Sequence, residues 1–102
     1  RWAAAEALFA RAVELEPNDA HTWFNLGYVR DKGGMDEAAI AAMRRATELN
    51  PNNDRAWYGL GMLYARHGRH VDAAAALTDM AAAVLIYFAY SMRNSKLRQF
   101  SR

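Results

Sequence analysis

The sequence holds no cysteine, so it can form neither a disulfide nor a thiolate-ligated metal site, and it leaves the redox compartment open. Proline is nearly absent, with Pro17 and Pro51 only, and glycine occurs six times in 102 residues. So few breakers exclude a loop-rich chain and leave room for long helices. Charge of one sign is missing from the end. The last acidic residue is Asp79, and the 23 residues after it hold Arg93, Lys96, Arg98 and Arg102, a local charge of +4. Over the whole chain the net charge is only +2, too small to point to a nucleic-acid partner. The chain opens at Arg1 without Met or a signal-peptide pattern, so the expectation is a processed or excised piece of something longer, with a cytoplasmic setting favoured.

Catalytic constellations are missing as well. His67 and His70 straddle Gly68, and only Asp72 lies near enough to join them, which fits solvated turn histidines better than a zinc site. Gly33-Gly34 lacks the Gly-Lys-Ser/Thr continuation of a phosphate loop. His21 has no serine or aspartate set around it. The expectation is no enzyme, no metal and no cofactor.

What is present is alanine and repetition. Twenty-two alanines, with 53% hydrophobic and 24% charged residues, describe an all-α globular domain, because alanine carries the smallest helix penalty. The phrase "ELEPNDAHTWFNLG" starts at Glu14 and "ELNPNNDRAWYGLG" at Glu48, an offset of 34 residues. Pro17 and Pro51, Trp23 and Trp57, Leu26 and Leu60, and Gly27 and Gly61 coincide, and Ala5, Ala39 and Ala73 carry the register over three units. One fixed offset of this length marks supersecondary units stacked side by side. Helical spacing of Trp23, Phe24, Leu26 and Val29 predicts a helix from about Ala20 to Lys32, broken by Gly33-Gly34. A second runs from about Asp36 to Leu49, with Ala39, Ile40, Met43 and Ala46 inward, and stops at Pro51. Asn52, Asn53 or Asp54 then caps a third, which runs to about Arg66, and a fourth begins near His70.

A 34-residue pair of helices with Trp, Leu-Gly, Ala, a large apolar residue, Ala and Pro at fixed offsets resembles the tetratricopeptide repeat family. Residues 18–51 show Trp23, Leu26-Gly27, Ala39, Met43, Ala46 and Pro51; residues 52–83 show Trp57, Leu60-Gly61, Tyr64, Ala73, Leu77 and Met80. Residues 1–17 supply only a second helix, with Ala5, Phe9, Ala12 and Pro17. The resemblance implies a superhelical array of about two and a half repeats over residues 1–83. Three positions depart from the pattern: Arg30 stands where the family has an aromatic, Met80 where it has a small residue, and Leu85 where the register asks for a third proline. The resemblance also implies a concave groove lined by the first helix of each unit. By position its candidates are His21, Phe24, Tyr28, Asp31 and Lys32, then Arg55, Tyr58, Met62 and Arg66. Such a surface suits an extended or helical segment with acidic character; otherwise the aromatics pack against the neighbouring unit and the charges are solvated. Phe24 and Tyr28 replace the Lys and Asn with which some members clamp a terminal carboxylate, so that clamp is not expected.

The end of the chain differs from the rest. No Gly or Pro follows Gly68, so one long helix is expected from about His70 to the mid-nineties, weakening at Asn94-Ser95. Its stretch "AAAVLIYFAY" at 81–90 has no polar face, and a helix apolar all round must be buried all round. Residues 84–102 therefore read as an apolar helical extension with a basic tail. Val84, Leu85, Ile86, Tyr87, Phe88, Tyr90 and Met92 are the candidate oligomer or partner interface, together with Trp2 and Phe9 at the other end. Six large side chains at about 1.5–3 kcal/mol each offer roughly 10 kcal/mol before entropic costs. The expected function is a non-catalytic protein–protein interaction and assembly module, with a protein or peptide partner and a second copy of the chain. The alternatives are a membrane-associated adaptor and an accessory repeat domain of a larger enzyme. A span is disfavoured because the unbroken run is ten residues and Asp79 lies close to it.

Overall fold

A computed structural model describes residues 1–100, with side chains described for residues 1–95. The tail charges at Lys96, Arg98 and Arg102 lie outside the described side chains. Five α-helices and no strand occur among the described residues: α1 (Trp2–Leu15), α2 (Ala20–Lys32), α3 (Asp36–Leu49), α4 (Asp54–Arg66) and α5 (His70–Phe100). Each packs chiefly on the next, so the chain is a row of helices.

Local chemistry sets the ends. Asp19 accepts hydrogen bonds from the His21 N–H at 3.0 Å and the Thr22 hydroxyl at 3.0 Å, capping α2. Thirty-four residues later Asn53 accepts from the N–H groups of Arg55 and Ala56 at 3.1 and 3.4 Å, so of the three candidates Asn53 is the cap of α4. Gly34 and Gly68 close α2 and α4 with φ of +78° and +72°, the left-handed region that suits glycine. Beyond them the Met35 N–H donates to the Arg30 carbonyl, and the Arg69 N–H to the Tyr64 carbonyl, both at 2.8 Å. The proline turns share a lock. The Trp23 indole N–H donates to the Pro17 carbonyl at 2.8 Å, and the Trp57 indole to the Pro51 carbonyl at 2.7 Å.

Two buried clusters hold the row together. One joins Val13, Leu26, Val29 and Ala42; the other joins Ala39, Ile40, Met43, Leu60, Leu63, Tyr64, Ala73 and Ala76. Because α3 contributes to both, it is the keystone of the stack. The tryptophans are only partly buried, Trp23 against the first cluster and Trp57 against the second.

The departures from the repeat pattern have physical reasons. Arg30 donates to Glu6 on α1 at 3.2 Å and to the Ala38 carbonyl at 3.3 Å, so it bridges α1, α2 and α3 as a largely buried ion pair. Tyr64, at the matching position of the third unit, is buried and accepts a hydrogen bond from the Arg44 guanidinium at 2.5 Å. Gly27 and Gly61 also differ. A Cβ at Gly27 would lie 2.8 Å from Met43 Cγ, whereas one at Gly61 would meet Leu77 at an ordinary 3.5 Å.

Without a proline, α5 runs unbroken past the place where the earlier second helices stop. It also runs through Asn94-Ser95, where weakening was expected, and reaches Phe100. No break separates residues 83 and 84; what changes is the surroundings, with Ala83 half-buried and Val84 exposed. The molecule is elongated as a result, with a radius of gyration of 16.4 Å against about 13 Å for a compact chain of this length.

Candidate functional site

The first helices of successive units, α2 and α4, face one another across the side chain of Met43 from α3. A Cβ at Gly59 would lie 3.4 Å from Met43 Cε and 3.6 Å from the Phe24 ring, in ordinary contact with both, which places Gly59 on the floor of this groove. The open space is about 220 Å³. Phe24, Tyr28 and Asp31 line it from α2, and Arg55, Tyr58, Met62 and Arg66 from α4. Seven of the nine residues expected in the groove are thus brought together. His21 lies in an adjoining hollow of about 360 Å³ with Asn50, Asn52 and Asn53, which shares Phe24 and Arg55 with the groove. Lys32 lies outside both, with its ammonium 5.5 Å from the centre of the Tyr28 ring.

The charged residues are engaged rather than simply solvated. Arg66 donates to Asp31 at 2.7 Å, and the Asp31 side chain is only 11% exposed, so this pair ties α4 to α2 across one end of the groove. The Arg55 guanidinium lies 5.3 Å from the centre of the Phe24 ring, at a distance where the ring's negative face attracts a cation. With Arg66 neutralising Asp31, Arg55 leaves the lining one positive charge in excess. Met43, Gly59 and Leu63 were not among the sequence-derived groove residues. The sequence carried no groove signal for them: Met43 was read as a packing residue, and Gly59 and Leu63 stand at positions that the repeat pattern leaves unmarked.

On the other side of the row, α3, α4 and α5 enclose a second hollow of about 270 Å³. Arg44 stands there with three carboxylates, Glu48, Asp72 and Asp79, beside Thr47 and Tyr64. The Tyr64 hydroxyl holds the Arg44 guanidinium above the usual arginine range by hydrogen bonding to it. The two sides of the molecule therefore differ in sign. His67 approaches Asp36 at 3.5 Å, and no group of three metal-binding side chains occurs among the described residues.

The residues expected at an interface occupy two ends. Val84, Leu85, Ile86, Tyr87, Phe88, Tyr90 and Met92 are all exposed on α5, from 46% at Val84 to 71% at Ile86. At the other end Trp2 stands edge-on to Tyr28, with ring centres 6.5 Å apart. Phe9 differs from expectation: it turns partly into the first buried cluster, because α1 packs that face on α2. Leu8 and Leu15 join Trp2 as the exposed large apolar residues of α1.

A profile of the tetratricopeptide repeat matches residues 1–53 and again residues 37–84. The chain belongs to the tetratricopeptide repeat family. No curated protein matches the sequence. Among solved structures, a double mutant of MamA from strain RS-1 superposes with a TM-score of 0.78 at 26% identity, over 84% of this chain and 48% of that one. MamA from residue 41 onward, from Desulfovibrio magneticus RS-1, gives 0.76 at 27% identity, over 80% and 46%. A further crystal structure of MamA gives 0.77 at 25% identity, over 87% and 52%. This repeat chain spans about half the length of those neighbours. Membership makes the fold a protein-interaction scaffold of stacked helical repeats.

Proposed function

We propose that this repeat chain is a non-catalytic interaction and assembly module that associates with itself or a docking partner through α5, while its concave groove takes a peptide or helix. The observation that carries this reading is the length of α5 left bare. Its large apolar side chains from Val84 to Met92 stand exposed, and side chains of this size drive association when water is excluded from them. The groove adds exposed aromatics, Tyr28 and Tyr58, beside Arg55, a combination suited to an amphipathic segment with acidic residues. Light scattering on the chain and on a truncation ending at Ala83 tests the assembly half. The intact chain is expected as an oligomer and the truncation as a monomer; a stable detergent-free monomer of the intact chain defeats it. Tyr28→Ala with Tyr58→Ala weakens peptide capture and leaves the mass unchanged, whereas Ile86→Ser with Tyr90→Ser does the reverse.

A second reading is a membrane-associated adaptor. Residues His70–Ser95 of α5 are long and apolar enough to cross a bilayer by length and composition, although the unbroken apolar run is shorter. Cosedimentation with anionic liposomes that is lost with the basic tail supports this reading in place of self-association.

A further inference from the structure

The uncharged part of α5, Met80–Met92, is bracketed by one charge of each sign: Asp79 before it and Arg93 after it. Neither has an ion-pair partner within 4.0 Å among the described residues, although Arg44, Arg66 and Arg69 elsewhere are all hydrogen bonded. Asp79 and Arg93 are both seven residues from Ile86. At about 100° per residue they fall about 20° to either side of it, on one ridge of the helix. That ridge is the one that also lines the acidic hollow, through Asp72, Ala75 and Asp79.

We infer that α5 pairs with α5 of a second copy, antiparallel, about a two-fold axis at Ile86. This rests on the self-association proposed above and fixes its geometry. A two-fold axis at residue 86 places each residue opposite the one equally far on the other side. Asp79 then meets Arg93 of the second copy, twice. Ala82 meets Tyr90, so a small side chain faces a large one, and Ile86, 71% exposed in the single chain, meets itself. Asp79 with Arg93 is complementary in charge and Ala82 with Tyr90 in size, as a self-complementary surface requires. A parallel pairing would instead put Asp79 on Asp79 and Arg93 on Arg93.

Charge decides the partner as well as the direction. All acids lie at or before Asp79, and the residues after it carry only positive charge. The antiparallel register brings the basic end of each copy to the side of the other that holds Glu48, Asp72 and Asp79 around a single Arg44. The concave groove, with its excess cation, is the wrong sign for that tail. The overlap from Asp79 to Arg93 is about 21 Å long, with one repeat body at each end of it. The opposite ridge, with Leu85 and Phe88, stays open.

The absence of native cysteine makes the register directly readable. Under mild oxidation Ile86→Cys forms a covalent dimer, because two-fold partners come within disulfide reach. Asp79→Cys mixed with Arg93→Cys gives a cross-linked pair that neither gives alone, and Leu85→Cys gives none. These sites are exposed, so the substitutions leave the core intact; circular dichroism checks this. Asp79→Arg or Arg93→Asp weakens the dimer about tenfold or more, and combining them restores it. A dimer by light scattering in which Ile86→Cys fails to cross-link, or Leu85→Cys or Asp79→Cys alone succeeds, overturns the register and leaves self-association standing. A monomer overturns both.

Discussion

Two glycines that the repeat pattern treats alike have different surroundings. At Gly27 an added methyl would press on Met43 Cγ and lie 3.2 Å from the Met43 backbone nitrogen, so α2 and α3 would have to move apart. At Gly61 the same methyl meets only ordinary contacts and removes the entropic cost of glycine in a helix. Gly27→Ala should therefore lose about 1–3 kcal/mol of stability, and Gly61→Ala should be neutral or gain up to about 1 kcal/mol. Chemical denaturation of both variants tests this; equal effects would mean that α2 and α3 are as loosely apposed as α4 and α5. The sequence could say that close approach occurs at these positions. It could not say how close, because that depends on whether Met43 or Leu77 stands opposite. Arg30 teaches the same lesson: as a departure from an aromatic it was visible, but its partner Glu6 lies 24 residues away and outside the repeated pattern.

At the scale of the helix, starts and stops were the most legible part, because Gly34, Gly68, Pro17 and Pro51 act through local backbone geometry. The exception is the end of α5, where Asn94-Ser95 has only weak preference against helix and no breaker follows. Most groove residues were legible too, since the 34-residue register fixes which face each first helix presents. The pairing of Asp31 with Arg66 was not, because it joins helices 35 residues apart through rotamers that the register leaves free. The start of α2 also carries a pH dependence. The Thr22 hydroxyl bond, with the local N–H donors, holds the Asp19 carboxyl below its ordinary value. A carboxylate depressed in the folded state adds stability that is complete above its unfolded value and is lost as pH falls through the folded one. Thermal melts taken from neutral pH into the carboxylate range should fall less for Asp19→Asn than for the parent. Identical slopes would mean that Asp19 caps α2 without any contribution from its charge.

At the scale of the molecule, the row is held by contacts between neighbours, so its stability is distributed rather than centred. Helix α3 is packed on both sides and α1 on one, so amide hydrogen exchange should be slowest in α3 and faster in α1. Equal protection of the two would show that the row opens only as one cooperative unit. The indole bonds to the proline turns add a consequence for observation. Trp23 and Trp57 each report the polarity around one turn, and each turn opens only when its own unit loosens. With the exposed Trp2 and one of the other two changed to phenylalanine, the remaining tryptophan becomes a fluorophore assigned to a single unit. The melting of neighbouring units can then be followed separately, by the emission of two single-tryptophan variants of the array.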